Sequence, residues 1–205
     1  KPYHFITASD TEVILAAYSR WGKDCLQRFN GMFGFAIWDV EKREIFIARD
    51  RLGIKPIYYS FNHQVLAFSS EIRALLESEI VPRKLNNEAI IDYLRYQTVH
   101  APNTMVKDVF MLMPGHYIIA QQHEIKIEKY WDINQFVGTQ KSDMSYKEVC
   151  AEVNHLFEKA VQRRLIADVP FGAFLSGGID SSAVVGMMSK VSTSKVKTFS
   201  VVFED

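Results

Sequence analysis

The stretch that most restricts the fold lies near the C-terminal end. Phe171-Gly172-Ala173-Phe174-Leu175 runs straight into Ser176-Gly177-Gly178-Ile179-Asp180-Ser181-Ser182. The continuous apolar run reads as a strand covered on both faces, as in a parallel sheet. The glycines after it permit a tight turn and a close backbone approach to a ligand. Ala183 to Val191 then reads as a helix, and Lys197 to Phe203 as a second buried strand. Strand, glycine loop, helix and strand predict the beginning of a parallel βαβ sheet. A helix that starts on such a loop offers unpaired N–H groups and the positive end of its dipole, which suits phosphate oxygens. Ser176, Ser181 and Ser182 add hydroxyls. The loop holds no lysine, so it is not a G-x-x-x-x-G-K-[ST] P-loop.

The upstream two thirds follow another pattern, and the whole reads as α+β followed by α/β. Ser9-Asp10-Thr11-Glu12 reads as a capping box, Val13, Ala16, Ala17 and Tyr18 share one helical face, and Gly22 stops that helix. Met32 to Asp39 with Glu44 to Arg49, Ile57 to Phe61 with Val65 to Ser69, and His116 to Ala120 with Ile125 to Trp131 read as antiparallel hairpins. The second hairpin turns at Asn62-His63. Ser70 to Glu77 is a short helix, and Asn86 caps another from Asn87 to about Tyr96. Pro102-Asn103 and Pro114-Gly115 are turns. Gly138 to Asp143 reads as an interdomain linker. Ser145-Tyr146-Lys147-Glu148 is a second capping box, opening an amphipathic helix to about Ile166 along Val149, Val153, Leu156, Phe157, Ala160, Val161 and Leu165.

Composition narrows the function classes. The 205 residues carry 24 Lys+Arg and 24 Asp+Glu, for a formal net charge of +0. A balanced chain has no global field to gather nucleic acid or anionic lipid. No apolar run is long enough to span a bilayer. Cys25 and Cys150 make no C-x-x-C pair, and the 6 histidines make no H-x-x-x-H pair, which disfavours a zinc site. A reduced, cytoplasmic setting is the default expectation.

The spelling S-G-G-x-D-S resembles the pyrophosphate-binding loop of the N-type ATP pyrophosphatases, which cleave ATP between the α and β phosphates to adenylate a carbonyl. Arg164-Leu165-Ile166-Ala167-Asp168-Val169-Pro170 leading to Phe174-Leu175-Ser176-Gly177-Gly178 is similar to the start of the synthetase domain in the glutamine-dependent asparagine synthetase family. Thr198-Phe199-Ser200-Val201 resembles that family's next strand. Upstream, Ser9-Asp10-Thr11-Glu12-Val13-Ile14-Leu15, Phe29-Asn30-Gly31-Met32-Phe33, Arg49-Asp50-Arg51-Leu52-Gly53-Ile54-Lys55-Pro56 with Tyr58-Tyr59, and Ser69-Ser70-Glu71-Ile72 resemble the same family's class II glutamine amidotransferase domain. Met113-Pro114-Gly115-His116 and Tyr130-Trp131 resemble its linker region.

The resemblance implies that residues 1–137 are the C-terminal part of a glutaminase domain with its extension, a partial N-terminal-nucleophile-type sandwich. Residues 138–144 would be a linker, and residues 145–205 the N-terminal part of an ATP-pyrophosphatase domain. The implied reaction converts aspartate and glutamine to asparagine and glutamate through an aspartyl-adenylate. Leu175 and Val201 would contact adenosine. Ser176, Gly177, Gly178, Asp180, Ser181 and Ser182 would hold the pyrophosphate. The implied cofactors are ATP and Mg²⁺, with metal ligands unassigned. The implied partners are the small molecules glutamine, aspartate and ATP, without nucleic acid or membrane, and a homodimer stays open. Two alternatives also stay open: another amidotransferase of this architecture (β-lactam synthetase-like or cell-surface-modifying), and a non-catalytic nucleotide-binding module.

Class II amidotransferases use an N-terminal cysteine with its own α-amine as base. Residue 1 here is Lys, and Cys25 and Cys150 both read as small core residues. The chain is therefore expected to be an internal piece, cut at both ends, and by itself to release no glutamate from glutamine. Of the glutamine-site residues only Asp10 has a counterpart, its carboxylate pairing the substrate α-ammonium; its other reading is a helix-start carboxylate that complements the dipole. Arg49, Arg51 and Lys55 read as a solvated sheet rim or a structural ion pair, ahead of an anion site. Phe33, Phe35 and Trp38 read as one core face of a strand.

Overall fold

The structure is a computed structural model and describes residues 3–62, 64–122, 124–138 and 143–202. The chain divides into two compact units, Lys1–Val137 and Gly138–Asp205. His63 of the second hairpin turn, residues 139–142 of the expected linker and Phe203 of the expected last strand lie outside the described residues.

In the first unit, α1 (Asp10–Trp21) begins at Ser9, whose hydroxyl accepts from the Thr11 amide. Ser9 thus caps the helix, but the expected capping box with Glu12 does not form in either direction. Glu12 reaches further upstream and accepts from the Ile6 and Thr7 amides and the Thr7 hydroxyl. That hydroxyl, with the two amides, holds the Glu12 carboxyl below the usual carboxylate range. Gly22 ends the helix at φ +55, and a 3-10 turn over Gly22–Gln27 carries Cys25 and Leu26 into the core.

The expected hairpins form as β1 (Gly34–Asp39) with β2 (Glu44–Arg49), β3 (Tyr58–Phe61) with β4 (Leu66–Ser69), and, further on, the strands His116–Gln121 and Glu124–Lys129. Between them lie α2 (Ile72–Glu77), α3 (Asn87–Tyr96) and a two-residue strand β5 (Phe110–Met111); the last hairpin is thus β6 and β7. The antiparallel sheets run β1-β2-β6-β7 and β4-β3-β5. Side-chain alternation sorts β2 and β6 into two faces. Phe46, Ala48 and Tyr117 pack with Ala17, Tyr18, Cys25 and Leu26 of the α1 side. Ile47 and Ile118 face Ile57, Tyr59 and Leu112 of the second sheet. Leu75 of α2 packs with Val81 and Val109, against Tyr58 and Ala67 on that sheet's far side. The layers therefore read helix, sheet, sheet, helix, and full burial of each large apolar chain between them is worth about 1.5–3 kcal/mol. Phe33 and Phe35 face this core as expected. Trp38 does not: it stands on the opposite parity of β1 from Ile37 and is 59% exposed.

The two sheets are tied at the end of β2. Asp50 is 1% exposed, and its carboxylate accepts from the amides of Phe33, Leu52, Ile54 and Lys55 at 2.9–3.3 Å. Its own carbonyl accepts from the Gly53 and Gly115 amides. Arg49 is 5% exposed and donates to the carbonyls of Lys55, Leu112 and Gly53. Arg49 is therefore neither a solvated rim residue nor half of an ion pair. Its fork satisfies backbone carbonyls that bend away from both sheets, and burial pulls its pKa down.

In the second unit, Ser145 and Glu148 form the full expected capping box at the start of α4 (Tyr146–Arg164). Strand β8 (Gly172–Phe174), helix α5 (Ile179–Val191) and strand β9 (Lys197–Phe199) follow, with β8 and β9 parallel in the register Gly172↔Lys197, Ala173↔Thr198, Phe174↔Phe199. Ala173 packs with Val161 of α4 and Met187 and Met188 of α5. The expectation of strands covered on both faces is overturned: Phe174 is 81% exposed, and all of β9 is exposed. Among the described residues the helices cover one face of this pair and nothing covers the other. The same geometry exposes Val153 and Leu156 on α4, and Cys150, expected as a core residue, is exposed as well. No helix among the described residues is long and apolar enough to cross a membrane.

Asp50→Ala is expected to destabilise the first unit by about 3 kcal/mol or more, since each amide stranded in the interior costs about 1–3 kcal/mol. Asp50→Asn, which keeps one acceptor oxygen, falls between the two. Urea unfolding followed by circular dichroism measures both; an Asp50→Ala midpoint equal to wild type would exclude this role.

Candidate functional site

The loop between β8 and α5 is built by the parallel strand pair. Gly172 lies so close to β9 that a Cβ would stand 2.6 Å from the Phe199 ring and 2.8 Å from the Lys197 carbonyl oxygen. The pairing continues one step past β8, where the Leu175 amide donates to the Phe199 carbonyl at 2.8 Å. The Ser200 hydroxyl in turn donates to the Leu175 carbonyl at 2.6 Å. Both backbone groups of Leu175 are thus engaged by β9 and the residue after it. The chain then reverses through Gly177 at φ +81, in the left-handed region that glycine enters without strain. A Cβ on Gly177 would meet nothing within 4 Å, so the bend is open to its surroundings.

Gly178 is the N-cap of α5 and, having no side chain, caps nothing. The first intrahelical bond runs from the Ser182 amide to the Gly178 carbonyl at 3.1 Å. The amides of Ser176, Gly177, Ile179, Asp180 and Ser181 meet no acceptor among the described residues. The hydroxyls of Ser176 and Ser181 lie 3.0 Å apart. Ser181 also donates to the Gly178 carbonyl at 3.0 Å, and the Gly178 amide donates to Ser176 Oγ at 3.4 Å. These bonds hold the bend folded while its other donors stay free. Unpaired amides at the positive end of a helix attract an anion. Asp180 sits in the first turn of α5, exposed, as does Ser182. Val201 follows Ser200 and is exposed. The structure therefore brings Leu175 to Ser182 into one bend, with Val201 just past the end of the neighbouring strand.

Asp10 lies in the other unit, as the first residue of α1, with its side chain exposed. Cys25 is fully buried, and burial pushes its thiol up to about 11. Among the described residues no group of three or more His, Cys, Asp and Glu could hold a metal ion. Arg49 and Asp50 organise the first unit, whereas the sequence presents Arg49 within a basic group with Arg51 and Lys55 and Asp50 only within a family-like segment. Burial of an Arg-Asp pair has no hydropathy signal, because it is set by distant carbonyls and amides. Ser200, which the sequence presents only as part of the strand-like segment Thr198-Phe199-Ser200-Val201, lies at the C-terminal end of a parallel strand, where ligands of such sheets gather.

The layered antiparallel sheets and the glycine bend lie in two separate compact units, and comparison with known proteins gives their kinship. The chain belongs to the glutamine amidotransferase domain family, whose model matches residues 1–131, and residues 152–205 match the asparagine synthase family. It is 39% identical over 203 residues to the putative asparagine synthetase [glutamine-hydrolyzing] 2 of Methanocaldococcus jannaschii, covering 97% of this chain and 39% of that protein. It is 33% identical over 208 residues to asparagine synthetase [glutamine-hydrolyzing] 3 of Bacillus subtilis, covering 99% of this chain and 33% of that one. The chain thus spans well under half the length of these relatives. The solved glutamine phosphoribosylpyrophosphate amidotransferase from B. subtilis, complexed with ADP and GMP, aligns over 92% of this chain and 39% of that one, at 16% identity and a TM-score of 0.42, a likeness too slight to assign a fold.

The exposures of the two cysteines make a direct check. The native chain is expected to react with one equivalent of a thiol reagent, at Cys150, and with two once denatured in urea. Loss of the native reaction in Cys150→Ser, with the denatured value falling to one, identifies the site; rapid native labelling of Cys25 would contradict its burial.

Proposed function

We propose that this chain is part of a glutamine-dependent asparagine synthetase. Its first unit would belong to the glutaminase half, of N-terminal-nucleophile type. Its second would open the half that activates aspartate with ATP. The observation that carries the reading is the bend at Ser176 to Ser181, whose free amides stand at the head of α5. The family matches to both units support it, as does the helix, sheet, sheet, helix layering of the first.

The loop's part in this chemistry is electrostatic. Donors fixed before the reaction meet charge where it grows, so the bend needs no reorganisation as the leaving pyrophosphate gains charge. Ser176, Gly177, Gly178 and Ser181 would supply amides and hydroxyls to its oxygens, with Ser182 one residue further along α5. Leu175 and Val201 would lie against adenosine. Since both backbone groups of Leu175 are already bonded, its side chain and the second lone pair of its carbonyl are what remain for that contact.

The carboxylate of Asp180 fits a bound Mg²⁺. An anion beside a polyphosphate repels it unless a cation stands between them. With no cluster of three ligating side chains among the described residues, such an ion would take most of its ligands from phosphate oxygens and water, as Mg²⁺ commonly does. When bound it would neutralise part of the phosphate charge. In the other unit, the Asp10 carboxylate would pair the α-ammonium of glutamine.

Two variants of the full-length protein test the two halves separately. Ser176→Ala is expected to lower ATP/pyrophosphate exchange about 10²–10³-fold, the usual loss for one oxyanion donor, while leaving glutamine hydrolysis measurable. Asp180→Ala should act in the same direction. Asp10→Asn is expected to raise the KM for glutamine about 10–100-fold, from a charged hydrogen bond worth about 1.5–3 kcal/mol, and to leave ammonia-dependent synthesis unchanged. Exchange at wild-type rate in both loop variants would sink the reading of the bend.

A further inference from the structure

We infer that Ser200 is a positioning residue for the bend, aiming the amide of Ser176 through the peptide plane it shares with Leu175. This rests on the reading of the bend as a pyrophosphate cradle. The Leu175–Ser176 peptide is the last one before the chain leaves the β8–β9 pair. On its strand side, the Leu175 amide is held by the Phe199 carbonyl at 2.8 Å. On its loop side, the Leu175 carbonyl is held by the Ser200 hydroxyl at 2.6 Å.

A trans peptide is planar, and its C=O and N–H point in opposite directions. Fixing the Leu175 carbonyl toward Ser200 therefore fixes the Ser176 N–H away from β9. That amide has no acceptor among the described residues. Downstream, Ser176 is held only through its side chain, which bonds Ser181 Oγ and accepts from the Gly178 amide, and Gly177 follows at φ +81 with no side chain, so the orientation of the peptide plane itself rests on the bond at the Leu175 carbonyl. Among the described residues the Ser200 hydroxyl is the one side-chain group bonded to the Leu175 carbonyl. Without it the plane can swing about its ends, and the first donor of the bend loses its aim. The pair is exposed, so water can replace the bond to the carbonyl but cannot hold a direction.

The test uses the full-length protein with pyrophosphate and AMP as separate probes, measured by titration calorimetry. Ser200→Ala is expected to weaken pyrophosphate about five- to ten-fold, the cost of one neutral hydrogen bond, while AMP, which lacks the pyrophosphate, stays within about twofold. Ser200→Thr, which keeps the hydroxyl, restores pyrophosphate binding. A general structural role would weaken both ligands alike, and that result overturns the inference, as does no change in either. Wild-type protein that binds no pyrophosphate overturns the reading of the bend itself, and the inference with it. Wild-type binding with an indifferent Ser200→Ala overturns the inference alone.

Discussion

The first unit depends on how a buried carboxylate and a buried guanidinium divide the backbone between them. Where β2 ends, the chain must leave one sheet and begin the other, and the turn leaves amides and carbonyls without ladder partners. Asp50 takes the amides and Arg49 takes the carbonyls. The surrounding contacts extend the same hub: the Tyr130 hydroxyl donates to the Arg49 carbonyl, Gln27 to the Tyr130 carbonyl, and Arg51 to the Gln27 carbonyl. Buried polar groups are tolerated only when paired, so this network decides that the two sheets can pack face to face. The apolar layers supply the greater part of the free energy. The hub pairs the amides of Phe33, Leu52, Ile54 and Lys55 and the carbonyls of Gly53, Lys55 and Leu112 as the chain passes between them, while Arg51 Nε beside it is buried without a partner among the described residues.

The second unit shows the opposite use of the same rule. At the Ser176 bend the amides of Ser176, Gly177, Ile179, Asp180 and Ser181 are left unpaired among the described residues, in a mostly exposed segment where water can serve them until an anion does. The bend stays folded because serines bond to one another and to the loop, not to the free amides. A backbone region that is fully satisfied internally has nothing left to offer a ligand. The contrast between the two units is thus a contrast between structure and site.

Local features of this architecture were legible in the sequence because they are written at short range. Ser145 with Glu148, Asn86, and Gly22 are caps whose partners lie within one helical turn. The hairpins follow from alternation and a polar turn. What differs from those expectations depends on partners outside the local pattern, either just upstream or far along the chain. Glu12 has the spelling of a capping box, but the segment at Ile6 and Thr7 offers it better donors than Ser9 does. The pairing of β2 with β6 joins residues about seventy positions apart and has no local mark. Hydropathy placed Phe174 and Val201 inside, because an apolar run reports what a strand is suited to, and only neighbouring elements decide whether it is covered. The glycine loop itself was readable because its chemistry is backbone chemistry, and glycine positions state where the backbone must turn.

A carboxylate in the first turn of a helix stabilises the helix by complementing its dipole, typically by 0.3–1 kcal/mol when exposed. In the free protein, Asp180 can therefore act as the anion that the head of α5 attracts. A phosphate arriving at the same amides meets that charge as well as the dipole. The two negative groups coexist only if one gives way or a cation joins them. In a loop that bound only bare phosphate, that carboxylate would serve the helix at the expense of the ligand. In a loop that binds phosphate together with a divalent ion it serves both, because the residue that repels the bare anion becomes a ligand for its metal complex. On the proposed reading, the place of Asp180 in the first turn of α5 suits a metal-bound polyphosphate better than free phosphate.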